Sequence, residues 1–351
     1  MVGCGGLGCP VALYLAAAGI GRLGLVDYDT VETSNLHRQV GHTEARCGAT
    51  KVASLAITVA GLNSATIIDE HHCLLSAENA LQVMGPYDVV VDATDNVVTR
   101  YLLSDACVLL GRPLVSGAAL RLEGQLTTYH FGGGPCYRCL YPEPPGADFV
   151  TNCDQGGVLG PVPGLIGSLQ ALEVIKIVAM SQPNYSQRML LFDGASGVFR
   201  TVRLRGRRDD CAVCGQDPSI TQLIDYAVFC NSSPDDKGVP VNLLAPVDRI
   251  TVQDFEQLLA NPEASFTLLD VRSEMHSAIY ALPNSLKIPL AVLPDRIKAL
   301  PKDIPVICIC RRGNDSQQAV LLLKESGYAA KDVIGGLHQY SRQIDPACPI
   351  Y

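Results

Sequence analysis

Met1-Val2-Gly3-Cys4-Gly5-Gly6-Leu7-Gly8-Cys9-Pro10 reads as the end of a strand, a glycine turn and the start of a helix. Gly3, Gly5 and Gly8 fit the spacing G-x-G-x-x-G. The first glycine permits a tight turn, the second a close approach of backbone to phosphate, and the third close packing of helix on strand. The helix N-terminus then faces the anion. A second strand is predicted over Arg22 to Asp27, ending at an acidic side chain about 20 residues on, where nucleotide-binding βαβ units meet a ribose hydroxyl. Only Met1 and Val2 precede Gly3, whereas a strand is typically about five or six residues long. The chain therefore reads as truncated at its front, as a gene model or as a fragment.

Outward from this turn the pattern repeats. Helices are expected over Val11 to Gly19, Ala49 to Leu62, Ala77 to Met84 (capped by Ser76) and Val97 to Leu110, with strands over Thr66 to Asp69, Tyr87 to Asp92 and Pro113 to Ser116. Asp92-Ala93-Thr94-Asp95-Asn96 ends a buried strand, where ligands sit in open α/β sheets. The fold class is α/β: a doubly wound, mostly parallel sheet. An antiparallel extension follows, with strands over Gln125 to Phe131, Met189 to Asp193 and Val198 to Leu204 and a long apolar helix over Leu165 to Met180. The Pro- and Gly-rich stretch Pro142 to Gly164 reads as a functional loop. The first domain is placed at 1–215 and a linker at 216–248, most linker-like at Ser232 to Gly238. A smaller α/β domain occupies 249–351. There Thr251 caps a helix over Val252 to Ala260, strands cover Phe266 to Val271, Pro305 to Cys310 and Lys331 to Ile334, and a helix covers Gln317 to Ser326.

The 351 residues carry a net charge of -8, which argues against direct binding of nucleic acid through a broad basic face. No basic segment precedes an apolar one as in a signal peptide. Apolar stretches read as too short or too interrupted to span a bilayer, so a cytoplasmic protein without membrane partners is expected. Fourteen cysteines then point to metal or thiol chemistry rather than disulfides. Cys4, Cys9, Cys47, Cys73, Cys107 and Cys308 suit small buried hydrophobes.

The remaining cysteines and several charged residues suggest chemistry. Arg38 and Lys51 offer positive charge to a triphosphate that releases pyrophosphate; the alternative is two surface cations. Asp95, with Asn96 beside it, suits Mg²⁺ or a cap on the helix from Val97. Cys136-x-x-Cys139 and Cys211-x-x-Cys214 suit a tetrahedral structural zinc. Cys153, in the polar segment Thr151-Asn152-Cys153-Asp154, suits a nucleophile or a free loop thiol. Cys310-Arg311-Arg312-Gly313-Asn314-Asp315-Ser316 joins a strand to a helix. Its N–H groups and arginines are expected to lower the Cys310 pKa and hold an anionic persulfide. Ser316 stands where a tyrosine phosphatase has arginine, which counts against that reading.

Gly3-Cys4-Gly5-Gly6-Leu7-Gly8, Val26-Asp27-Tyr28-Asp29-Thr30-Val31-Glu32, Ser34-Asn35-Leu36-His37-Arg38-Gln39, Lys51, Asp92 to Asn96 and the paired Cys-x-x-Cys motifs resemble the ThiF/MoeB family of adenylating enzymes, related to ubiquitin-activating enzymes. The resemblance runs from Met1 to about Gly215. It implies that Gly6, Asp27, Ser34, Asn35, Leu36, His37, Arg38, Lys51, Asp95 and Asn96 bind ATP with Mg²⁺, and that Cys136, Cys139, Cys211 and Cys214 bind Zn²⁺. Leu269-Asp270-Val271-Arg272, the Cys310 loop and Gly335-Gly336-Leu337 resemble a rhodanese domain, with Tyr340 in place of its usual later aromatic. Together the two halves are similar to the adenylyltransferase and sulfurtransferase enzymes of eukaryotic molybdenum cofactor synthesis. That likeness implies ubiquitin-like sulfur carriers ending in Gly-Gly as substrates: the small subunit of molybdopterin synthase and a ubiquitin-related modifier of tRNA thiolation. It implies catalytic roles for Cys153 and Cys310, a persulfide-donating desulfurase as partner, and a homodimer. Relatives carry a helix before the first strand, with an arginine that reaches the partner's nucleotide; without them, weak folding or poor adenylation is expected. Two rival readings are an NAD-dependent oxidoreductase with a structural zinc and a non-catalytic scaffold for a ubiquitin-like tail.

Overall fold

Val2 holds the first sheet together. It bridges in parallel to Val26 on one side and to Asp92 on the other, its N–H donating to the Val91 carbonyl at 2.9 Å and its carbonyl accepting from Ala93 N at 2.9 Å. The computed structural model describes residues 1–145, 157–231 and 243–349. The chain divides into two units, Met1–Asp236 and Lys237–Tyr351.

In the first unit the glycine turn runs into α1 (Gly8–Ala17) and β1 (Arg22–Val26) follows. Then come α2 (Lys51–Leu62), β2 (Ile67–His71), α3 (Ala80–Met84), β3 (Val90–Asp92), α4 (Val97–Leu110), β4 (Leu114–Leu120) and β5 (Glu123–Tyr129). The short α5 (Tyr137–Leu140), the long α6 (Pro161–Met180), β6 (Arg188–Asp193), β7 (Val198–Arg203) and α7 (Tyr226–Cys230) complete it. The strand order is β2-β1-Val2-β3-β4-β5-β6-β7, parallel as far as β4 and antiparallel beyond. This is the expected parallel sheet with its antiparallel extension. One buried cluster gathers Val11, Leu15, Val52, Leu55 and Ile166 from α1, α2 and α6; a second gathers Ala80, Met84, Tyr101 and Leu103 from α3 and α4.

Local chemistry sets the helix ends. Thr50 Oγ1 accepts from Ala53 N and starts α2. Gly111, at φ 65°, ends α4 in the left-handed conformation that glycine adopts without strain. Ser76 does not cap α3: its N–H donates to Asn79 Oδ1, and the helix begins only at Ala80. Helix α6 also corrects the membrane argument. At 20 residues it is long and apolar enough to cross a bilayer, but half of it is buried and it packs on α1, β4 and β5. Cys47 is exposed, unlike Cys4, Cys9, Cys107 and Cys308.

The second unit holds β8 (Arg249–Ile250), α8 (Val252–Ala260), β9 (Thr267–Asp270), α9 (Glu274–Ile279), β10 (Leu286–Lys287), α10 (Leu293–Arg296), β11 (Val306–Ile309), α11 (Asp315–Glu325), β12 (Ala330–Val333) and α12 (Gly336–Gln343). Its five strands are all parallel, in the order β10-β9-β11-β12-β8. Thr251 caps α8 as expected, accepting from Asp254 N at 3.1 Å.

Candidate functional site

The glycine turn is forced by its neighbours. Gly3 has φ +94°, and a Cβ there would lie 2.5 Å from the Ala93 carbonyl oxygen. A Cβ on Gly6 would lie 3.2 Å from Pro163 at the start of α6 and 3.4 Å from the Arg38 carbonyl. At Gly6 the turn therefore meets the backbone of the 34–39 segment and the Pro163 ring of α6. Ser34 and Asn35 lie in a short 3-10 turn, and Leu36 follows it. His37 Nε2 sits 2.8 Å from the Arg38 guanidinium; burial, then the Arg38 charge, lowers its pKa.

Asp27 stands at the end of β1, but its carboxylate is already engaged. Oδ2 accepts from Cys4 N at 2.7 Å and Oδ1 from Asp29 N at 2.8 Å. Asp27 thus holds the glycine turn in place. Lys51 is buried, and its Nζ lies 2.9 Å from Asp29 Oδ2. Burial alone would lower the Lys51 pKa, but Asp27 and Asp29 outweigh it and hold the ammonium charged. Asp95 is exposed just past β3, close enough to Lys51 to add to that effect. Asn96 is the cap: its Oδ1 accepts from Thr99 N at 2.7 Å and starts α4. The glycine turn, Lys51 and Asp95 thus gather at the C-terminal ends of β1 and β3, with the Arg38 backbone against Gly6.

Two supports of this site were missed from sequence. Asp92 is fully buried; it accepts from Thr94 Oγ1 at 2.7 Å, Ser116 Oγ at 2.7 Å and Arg100 Nε at 3.0 Å. His42 spans from the Cys4 carbonyl to Ser54 Oγ, at 2.8 Å each way. The carbonyl can only accept, so Nε2 carries the proton. The Asp92-to-Asn96 motif was a usable signal for the first; nothing local signals the second.

The four sulfurs of Cys136, Cys139, Cys211 and Cys214 are buried and lie within 4.8 Å of one another. Four of the six separations are 3.4 to 3.8 Å. A tetrahedron of Zn–S bonds of ~2.3 Å puts its sulfurs ~3.8 Å apart, so the donor set fits Zn²⁺. Arg208 N donates to Cys139 Sγ at 3.4 Å, the kind of outer hydrogen bond that orients a thiolate ligand. Between the first two ligands Arg138 turns inward to Asp105, at 2.9 Å, and Asp105 also accepts from Tyr226 Oη at 2.8 Å. The knuckle therefore anchors α7 to α4. Chelation of zinc is expected to lower the melting temperature and expose the 223–230 segment to protease. Unchanged melting and unchanged cleavage after verified metal removal would contradict a structural zinc here.

In the second unit Cys310 follows β11 and is 1% exposed. Gly313 N donates to its sulfur at 3.1 Å, and Ser316 contributes backbone and side-chain hydrogen bonds. The expected acidification is not found. Burial and the Asp315 carboxylate push the thiol pKa up, and those hydrogen bonds only moderate the rise. The sulfur loop is locked from behind by α12, whose Leu337 N and His338 N donate to the Cys310 and Arg311 carbonyls at 2.9 Å each. A Cβ on Gly313 would lie 2.7 Å from Gly335 N, which explains the glycines physically. Asp270 and Arg272 form a buried ion pair at 2.5 Å, and Arg272 also donates to the Tyr280 carbonyl at 2.6 Å. Tyr340 packs edge-on against Phe255 and donates to Glu256 Oε2 at 2.7 Å. Cys153 lies outside the described residues.

A glycine-loop nucleotide fold with a four-cysteine knuckle, followed by a parallel α/β domain with a cradled cysteine, defines an adenylyltransferase joined to a sulfurtransferase. The chain belongs to the ThiF family, whose model matches residues 1–213, and a rhodanese-like domain matches residues 251–343. It is 53% identical over 362 residues to the adenylyltransferase and sulfurtransferase MOCS3 of Aedes aegypti, covering 100% of this chain and 83% of that protein. The Bos taurus protein of the same name is 51% identical over 372 residues, covering 100% and 82%. Among solved structures, Escherichia coli MccB with MccA-N7isoASN superposes with a TM-score of 0.55 at 24% identity, covering 61% of this chain and 66% of that one, a likeness of fold. The chain is thus an enzyme with adenylyltransferase and sulfurtransferase domains, and the oxidoreductase and scaffold readings fall away.

Proposed function

We propose that the enzyme adenylates the C-terminal glycine of ubiquitin-like sulfur carriers and converts it to a thiocarboxylate. The observation that carries this reading is the pairing, in one chain, of a glycine turn flanked by Arg38 and the buried Lys51 with a Cys310 sulfur cradled by loop N–H groups. A carrier carboxylate oxygen attacks the α-phosphorus of ATP. The bond to pyrophosphate breaks, and pyrophosphate leaves with the electron pair. Arg38 and Lys51 face the charge that develops, while Gly6, Asp27 and the Ser34 to His37 segment frame the nucleotide. Asp95, beside Asn96, offers a carboxylate to Mg²⁺, which when bound supplies further charge neutralisation. Zn²⁺ on Cys136, Cys139, Cys211 and Cys214 holds the fold.

The terminal sulfur of a Cys310 persulfide then attacks the acyl carbon, AMP leaves, and the carrier is joined to Cys310 through an acyl disulfide. A Cys153 thiolate attacks the Cys310 sulfur. Their disulfide forms, the acyl disulfide breaks, and the thiocarboxylate departs with the electron pair; a cellular thiol then reduces the pair. We assign the small subunit of molybdopterin synthase and the ubiquitin-related modifier of tRNA thiolation as carriers, a cysteine desulfurase as sulfur donor, a homodimer as working form and the cytoplasm as its place. The domain limits 1–215 and 249–351 follow the same reading; of the stretch 216–248 between them, α7 packs into the first unit, which extends to Asp236.

The test is incubation with MgATP, thiosulfate and a carrier ending in Gly-Gly, with the carrier weighed by intact mass spectrometry. A thiocarboxylate is expected. Adenylate without sulfur would sink the Cys310 relay, and an unchanged carrier would sink the whole reading. Cys153→Ala is expected to stall the carrier as the acyl disulfide; full thiocarboxylate yield from that variant would remove Cys153 from the scheme.

A further inference from the structure

The second unit contains a buried polar chain that ends on Cys310 and that the scheme above leaves unused. Asp332 on β12 is fully buried, in register with Cys308 on β11. Its two oxygens accept from Arg249 at 2.9 and 3.0 Å. The Ser316 side chain also hydrogen-bonds the Asp332 carboxylate, and Ser316 is itself fully buried at the start of α11. Cys310 Sγ lies 3.4 Å from Ser316 Oγ. The chain of contacts is therefore Arg249, Asp332, Ser316, Cys310.

A hydroxyl has one proton to give. With Cys310 as a thiol, the S–H donates to Ser316 Oγ and the hydroxyl proton goes to Asp332. With an anionic sulfur there is no S–H, and the same hydroxyl can turn and donate to the sulfur while Arg249 retains Asp332. Hydrogen bonds to a charged group are the stronger kind, so the turn favours the anion. We infer that Ser316 and Asp332 are positioning residues for the sulfur chemistry of Cys310. In this arrangement the Ser316 hydroxyl is a two-position donor that Asp332 holds away from the thiol and releases to the thiolate or persulfide anion. The inference rests on Cys310 being the sulfur-carrying residue. Other charged or titratable groups around the thiol are Cys308 on its own strand, Asp315 at the start of α11, Arg311 and His276 beyond Asp315, and His338 in the first turn of α12.

The test uses the full chain loaded with thiosulfate. A Cys310 thiolate attacks the sulfane sulfur, the new S–S bond forms, and sulfite leaves with the electrons of the broken one. The initial rate of persulfide formation on the Cys310 peptide is followed by mass spectrometry as a function of pH. Ser316→Ala keeps the backbone N–H but removes the hydroxyl. Its rate profile is expected to move up by about one pH unit, with about tenfold slower loading at neutral pH. Ser316→Thr is expected to restore the wild-type profile. Asp332→Asn frees the hydroxyl for the sulfur and is expected to move the profile down. A Ser316→Ala profile that coincides with wild type, or Ser316→Ala and Asp332→Asn profiles that move the same way, would overturn the inference. If Asp332→Asn does not fold, the Ala shift with its Thr rescue decides alone. Wild-type chain that gains no sulfur at Cys310 would instead remove the reading on which the inference stands.

Discussion

Cys310→Ala is expected to abolish thiocarboxylate formation, by at least about a thousandfold, while leaving ATP–pyrophosphate exchange with the carrier within about twofold of wild type. The asymmetry follows from where the residue sits. Cys310 belongs to the buried core of the second unit, at the end of β11, and the adenylation residues belong to the first. Alanine removes the sulfur atom on which the proposed persulfide forms. It leaves the Leu337 and His338 bonds to the backbone carbonyls at 310 and 311, so the loop keeps its support. Cys310→Ser sharpens the result: a hydroxyl oxygen can take the loop hydrogen bonds but forms no persulfide. Both variants should return adenylated carrier in place of thiocarboxylate. Thiocarboxylate at more than a few per cent of the wild-type rate from Cys310→Ala would mean that sulfur reaches the acyl group by another cysteine. The raised thiol pKa sharpens the point. Burial, then the Asp315 charge, favours the neutral thiol over the thiolate. A persulfide is a stronger acid than a thiol and needs less help to ionise in the same cradle.

The parts legible in the sequence were those whose signal is local. Helix Val97–Leu110 was read to the residue, because its polar start, an apolar face and Gly111 all lie within one segment, although the cap is Asn96 and not the Asp95 that was offered. The four zinc-type cysteines were legible because two tight turns each declare a pair. What escaped was set by distant partners. Asp27 was read as a ribose contact, and its second task, accepting from Cys4 N across 23 residues, went unread; only the pairing of Met1 to Gly3 with β1 brings that donor there. The Cys310 loop was read as an acidifying cradle because its N–H groups and arginines are local. The opposing effect, burial beneath α12, depends on Gly313, Gly335 and Gly336 closing together. Helix α12 itself was missed: it opens on glycines of positive φ, with no side-chain cap to announce it.

Lys51→Ala is the second large effect: adenylate formation, measured as carrier-dependent ATP–pyrophosphate exchange, is expected to fall by about 10²–10³, with thiosulfate sulfurtransferase activity unchanged. Lys51 opens α2 behind the Thr50 cap, and its chain is pinned by burial at 6% exposure and by Asp29 at 2.9 Å. A cation fixed in advance spends no reorganisation as charge builds on the departing pyrophosphate, which is why a buried lysine outweighs a mobile one here. Its removal acts twice. The cation proposed to face the phosphates is lost, and Asp29 and the nearby Asp27 lose their buried counterion. The second effect costs stability as well, about 1–3 kcal/mol, read as a lower melting temperature. Asp29→Asn with Lys51 intact separates the two. It removes one partner but keeps the cation, so exchange should fall far less than in Lys51→Ala. Lys51→Arg retains charge but must seat a wider, planar group in a space shaped for an ammonium, and only partial activity is expected. Exchange within threefold of wild type in Lys51→Ala would show that the buried ammonium serves the fold alone and that Arg38 carries the phosphate charge.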